Sequence, residues 1–181
     1  MRKGLLLSLA LFVSLSAESL FSQDAKSAED FMQSAFHLYE RSGKGVPYRS
    51  DFYHTSLLAL IKADLEAAEK GLTVPMAGTD LFCDCQERDG ISIHKLDVRL
   101  EAPDRAEVTV SFSIYTYTPE HRKDYDSRTM KYTLVPERGR WRVYDILDLS
   151  EPDRDGQSKS FRVQLGEEIR AFARTTRLPM K

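Results

Sequence analysis

Arg105-Ala106-Glu107-Val108-Thr109-Val110-Ser111-Phe112-Ser113-Ile114-Tyr115-Thr116-Tyr117-Thr118 is the stretch that decides the fold. Ala106, Val108, Val110, Phe112 and Ile114 fall on one side of an extended chain, and Glu107, Thr109, Ser111 and Ser113 on the other. Strict alternation of this length is the mark of a half-buried antiparallel strand. Upstream, the apolar residues of a second strand change phase: Ile91 and Ile93 are odd, whereas Leu96, Val98 and Leu100 are even. One extra residue near His94-Lys95, a β-bulge, returns all five to a single face. Downstream, Thr129 to Val135 and Arg140 to Leu149 read as two further strands, joined by the turn Pro136-Glu137-Arg138-Gly139.

Helical periodicity flanks this meander. From Ser27 to Arg41, Phe31, Ala35 and Leu38 repeat at helical spacing with Met32, Phe36 and Tyr39 alongside, and Ser27 with Asp30 has capping-box spacing. Gly43, Gly45 and Pro47 end that helix. A second helix runs from Thr55 or Ser56 to Lys70 on Leu57, Leu58, Leu60, Ile61 and Leu65, with Gly71 as its stop. A third, from about Ser158 to Arg174, lines up Phe161, Leu165, Ile169 and Phe172. Helices, then a meander, then a helix is an α+β layout: N-terminal helices on a curved four-stranded antiparallel sheet, with a C-terminal helix.

The first residues carry an export signal. Arg2 and Lys3 precede an apolar run from Leu5 to Leu15, and Ala17 and Ser19 occupy the −3 and −1 positions of a cleavage site, with Ser14 and Ser16 as an alternative. The run is shorter than the roughly 20 residues that a membrane span needs. The first cysteine is Cys83, so no lipid anchor can follow the apolar run. The expected organisation is a signal peptide over 1–19, a leader over 20–26, one domain over 27–174 and a tail over 175–181. The expected location is periplasmic or secreted, with no membrane anchor after cleavage. A net charge of −2 offers no basic footprint for nucleic acid.

Two stretches, Asp80-Leu81-Phe82-Cys83-Asp84-Cys85-Gln86 and Gly139-Arg140-Trp141-Arg142-Val143-Tyr144-Asp145-Ile146, resemble a bacterial exported family of unknown function. That family resembles in turn the cone-shaped fold of nuclear transport factor two and ketosteroid isomerase, a cystatin-like α+β arrangement. The resemblance spans about Ser27 to Arg174 and implies a bulged sheet wrapped around the N-terminal helices. It implies no activity, and this chain lacks the lipid-attachment cysteine of the lipoprotein members.

Cys83-Asp84-Cys85 is the most unusual local feature. In an oxidising compartment the two thiols can bridge if a turn brings them together, and the bridge is then either structural or a labile redox pair; a soft-metal site is the third reading. Glu151-Pro152-Asp153-Arg154-Asp155-Gly156 imitates a calcium loop, but Arg162 stands where the bidentate acid belongs, so a polar turn before the last helix is the better reading. Alternation from Trp141 and Val143 points Asp145 to the apolar side with Leu147 and Leu149, which makes it the acid of a pocket shared with Tyr144, Tyr132 and Trp141. The favoured reading is that a second bulge turns Asp145 outward, or that it caps a backbone group, because structural carboxylates are common and one acid makes no catalytic pair. The four histidines have no metal-ligand spacing, and no nucleophile, zinc or phosphate motif occurs. Nothing in the pattern asks for a cofactor or a metal, and no residue is assigned a catalytic role.

The expectation is a non-enzymatic binding or accessory domain for a protein or small-molecule ligand in the cell envelope. It would act through the open end of the sheet, the charged loop from Tyr117 to Arg128, or both. The alternatives are a small-molecule enzyme with Asp145 as general base and a Tyr or His as donor, or a redox or metal role for Cys83 and Cys85.

Overall fold

The computed structural model describes residues 24–42, 48–49, 51–70, 80–85, 90–117, 122–150 and 157–175. The elements run α1 (Ala25–Ser42), α2 (Thr55–Glu69), β1 (Gly90–Ala102), β2 (Arg105–Tyr117), β3 (Arg122–Glu137), β4 (Arg140–Asp148) and α3 (Phe161–Thr175). The four strands form one antiparallel meander in the order β1-β2-β3-β4. The chain is therefore α+β, with helices on either side of the sheet in sequence. The signal region, the calcium-like loop and most of the tail lie outside the described residues.

The β1 bulge lies where the phase change put it. Ile93 pairs with Phe112 and Lys95 with Ser111, leaving His94 as the extra residue. Ile91, Ile93, Leu96 and Val98 thereby stand opposite Ile114, Phe112, Val110 and Val108 on one face. That face meets Met32, Phe36 and Tyr39 of α1, and Phe36 packs at 5.5 Å from Phe112 and 5.0 Å from Phe82. The displaced His94 turns to the other face, where its Nε2 lies 2.6 Å from Ser113 Oγ.

Three expectations need correction. First, α1 begins at Ala25, capped by Asp24, rather than at Ser27: Ser27 N–H donates to Asp24 Oδ1 (2.8 Å) and Asp24 N–H donates to Ser27 Oγ (3.1 Å), a reciprocal cap one turn earlier. Asp30 instead pairs with Lys26 at 2.8 Å.

Second, the charged Tyr117–Arg128 segment is mostly ladder, not loop. Tyr117 pairs with Arg122, Tyr115 with Asp124 and Ile114 with Asp126, so only residues 118–121 separate the paired strands. Charge concealed the strand because its inward positions are filled by ions that neutralise one another. Arg128 pairs with Asp126 at 2.9 Å and with Asp148 at 3.2 Å, continuing the buried face beyond Met130.

Third, α3 starts at Phe161, because Ser160 Oγ accepts the N–H of Val163 (3.0 Å) and caps the helix there. The β3–β4 turn is tighter than its four-residue motif suggested. Arg138 and Gly139 alone connect the strands, with φ of 54° and 73°, as a two-residue hairpin of the primed type requires.

The free edge of β4 is covered rather than left to pair with another chain. Val143 N–H donates to Phe52 O (2.8 Å) and His54 N–H donates to Val143 O (2.9 Å), and Ser160 pairs with Leu147 further along.

Candidate functional site

The segment Asp80–Cys85 folds into a turn that plugs the helix side of the sheet. Asp80 O accepts the N–H of Cys83 (3.2 Å), and Asp80 N–H donates to Cys85 O (3.1 Å). Asp84 takes a left-handed φ of 48°, which aspartate tolerates better than most residues. That turn brings the Cα atoms of Cys83 and Cys85 to 5.2 Å, and the two sulfurs are joined in a disulfide. Neither sulfur is left to bind a metal, and among the described residues no group of three or more His, Cys, Asp or Glu could hold one. Tyr39 donates its hydroxyl to the Asp80 carboxylate at 3.0 Å, and Tyr132 donates to Phe82 O. Phe82 sits between the Phe36 and Tyr132 rings at 5.0 and 4.8 Å. The bridge is buried within this plug, so a reductant reaches it only after the turn opens.

The residues expected to share a pocket are separated. Thr133 pairs with Asp145 and Leu134 with Val143, so Tyr144 is an extra residue and β4 is bulged there. The bulge returns Ile146 and Asp148 to the buried face and turns Asp145 away from it. Asp145 Oδ1 then accepts the N–H of Ile146 (2.8 Å) and of Arg162 (3.2 Å), capping the first turn of α3. Both halves of the outward reading hold together: a second bulge turns Asp145 outward, and its carboxylate caps a helix. Tyr144 lies beneath the Arg162 guanidinium, 4.2 Å from its ring centre, and edge-on to His54. His54 Nδ1 accepts the N–H of Ser56 and starts α2. This cluster fastens the two helix N-termini to β4. Tyr132 is wholly in the core, and burial together with the Asp80 charge pushes its hydroxyl well above the ordinary tyrosine range.

Of the four, Trp141 lines a cavity among the described residues. A groove of about 440 Å³ opens between the first turns of α1, the Asp51–Phe52 segment and the β3–β4 turn. Phe31, Phe52 and Trp141 supply its apolar walls, and Ser27, Ser34, Asp30, Asp51, Arg140 and Arg142 its polar groups. Trp141 is held by its indole N–H, which donates to Ser27 Oγ at 2.9 Å, and Phe31 meets Phe52 at 6.5 Å. Past Asp30 and Ser34 the groove adjoins a second hollow of about 510 Å³ lined by Gln33, His37 and Ile93. Trp141 was among the expected pocket residues, whereas Arg142, Phe31 and Phe52 were not, because the groove is assembled from three segments far apart in the chain. Comparison with family models, curated proteins and solved structures found no match to this chain.

Proposed function

We propose that the chain is an exported, non-enzymatic binding domain that takes up a small ligand in the groove beside Trp141. The groove itself carries this reading. Its volume falls within the roughly 300–1,000 Å³ typical of small-molecule sites, and its walls combine aromatic side chains with a few polar groups. Export is supported by the charged, apolar and small-residue succession from Arg2 to Ser19. Among the described residues, no helix is long and apolar enough to cross a membrane. The enzyme alternative with Asp145 as base loses its residue to the α3 cap. Redox exchange at Cys83–Cys85 has to open a turn anchored by Tyr39 and Tyr132.

Trp141 is the single tryptophan, so its emission reports on the groove directly. The test uses 1-anilinonaphthalene-8-sulfonate, a dye with an apolar body, added to the folded protein. Dye emission should rise and Trp141 emission should fall together. Ser34→Phe, which fills the groove from an exposed position on α1, should abolish both changes. Dye binding that is absent, or indifferent to Ser34→Phe, removes the groove as the site.

A further inference from the structure

Arg142 stands on β4 with 9 % of its surface exposed and has no carboxylate partner among the described residues. Its terminal NH1 group donates to the neighbouring Trp141 O at 2.7 Å, and its Nε has no hydrogen-bond partner. A buried guanidinium with an idle donor is costly, and folded chains ordinarily answer such a charge with an acid. The acids lining the same groove are engaged elsewhere: Asp30 with Lys26 and Asp51 with Arg49, each at 2.8 Å. The exposed Arg140, also on the groove wall, likewise has no acid partner among the described residues. Positive charge is therefore left over where three aromatic rings supply an apolar wall.

Given the groove as the binding site, on which this step rests, we infer that its ligand is a small organic anion. The anion is a carboxylate or sulfonate on an aromatic or aliphatic body, with its charged end on Arg142 and its body against Phe31, Phe52 and Trp141. The planar fork of arginine suits two-oxygen anions. Burial pulls the Arg142 guanidinium below the ordinary arginine value, the Arg140 and Arg138 charges add to that, and the Asp51 and Glu137 charges oppose it without reversing it.

Matched pairs of probes test the charge separately from the groove. Benzoate, 4-phenylbutyrate and octanoate are each compared with their neutral amides by calorimetry and by Trp141 fluorescence. The best-fitting carboxylate should bind at least about tenfold more tightly than its amide, the equivalent of one charge-assisted hydrogen bond. In Arg142→Gln that preference should fall below about twofold, with amide binding little changed. Equal binding of acid and amide to the parent protein leaves the groove as a site and overturns the anion. Binding of neither up to millimolar concentration overturns both. If Arg142→Gln does not fold, the comparison on the parent protein still decides, because it needs no variant.

Discussion

Replacing Glu168 with glutamine should stabilise the protein at neutral pH and leave it unchanged in acid. Asp64 of α2 is 1 % exposed, and its charge acts on the Glu168 carboxyl of α3. Two carboxyl groups so placed can share a hydrogen bond only if one holds a proton. Burial, then the Asp64 charge and that hydrogen bond, raise the Glu168 carboxyl above the ordinary glutamate range. A carboxyl raised in the folded state binds its proton more tightly there than in the unfolded chain. Its contribution to stability is thus fully present below the unfolded value and is lost as pH rises through the folded one. At pH 7 the protein either carries repulsion between the two helices or spends free energy holding the proton. Glutamine keeps a donor to Asp64 at every pH. A hydrogen bond to a charged group contributes roughly 1.5–3 kcal/mol; Glu168 is only half-buried, so solvent screening brings the expected gain to about 1 kcal/mol. In a domain of this size that is about 2–4 °C in Tm. Urea and thermal unfolding of parent and Glu168→Gln from pH 3.5 to 8 should give curves that coincide in acid and separate as pH rises. A variant less stable at pH 7, or a gain that is the same at every pH, would refute the shared proton.

Phe112 is fully buried against Phe36, so Phe112→Ala should cost about 3–5 kcal/mol; a urea midpoint that does not move would contradict the assigned core. Alkylation of the denatured, unreduced protein should label neither Cys83 nor Cys85, and reduction should then expose two thiols. Because the bridge closes a very short loop, Cys83→Ala/Cys85→Ala should lose only about 1–2 kcal/mol, and a much larger loss would mean that the plug folds around the bridge. Intact mass of the protein expressed in a bacterium with its own leader should show a start between Ala17 and Asp24, most often at Leu20; a full-length chain in the cytoplasm would count against export.

What was legible in the sequence was what periodicity encodes. The phase of Val108, Val110 and Phe112 named the buried face of β2, and the slip between Ile93 and Leu96 located the β1 bulge, because one inserted residue inverts every side chain after it. Where ions replaced apolar residues the signal failed. Arg128, Asp126 and Asp148 occupy inward positions of β3 and β4, so a strand looked like a charged loop. Asp145 stayed open between two faces. The Tyr144 bulge shifts the phase, but a half-buried tyrosine on either side of the slip fits both registers, so alternation alone could not place it. The groove had no local pattern to read, since Phe31, Phe52 and Arg142 meet only through the tertiary fold.

One buried polar contact did carry a signal that passed unread. Asp64 stands seven residues after Leu57 on the apolar stripe of α2, and Glu168 stands seven after Phe161 on that of α3. Seven residues is almost two helical turns, so each acid occupies the position where its stripe asks for an apolar side chain. An acid on one such stripe reads as an error in the pattern. Acids at the same step on two stripes that pack together read as a pair. A pair of that kind is stable only if it shares a proton or meets a cation, and the raised Glu168 carboxyl beside Asp64 fits the first. Periodicity, which left Asp145 open between two faces, places Asp64 and Glu168 because helical phase, unlike strand phase, survives without a bulge from Thr55 to Glu69 and from Phe161 to Thr175.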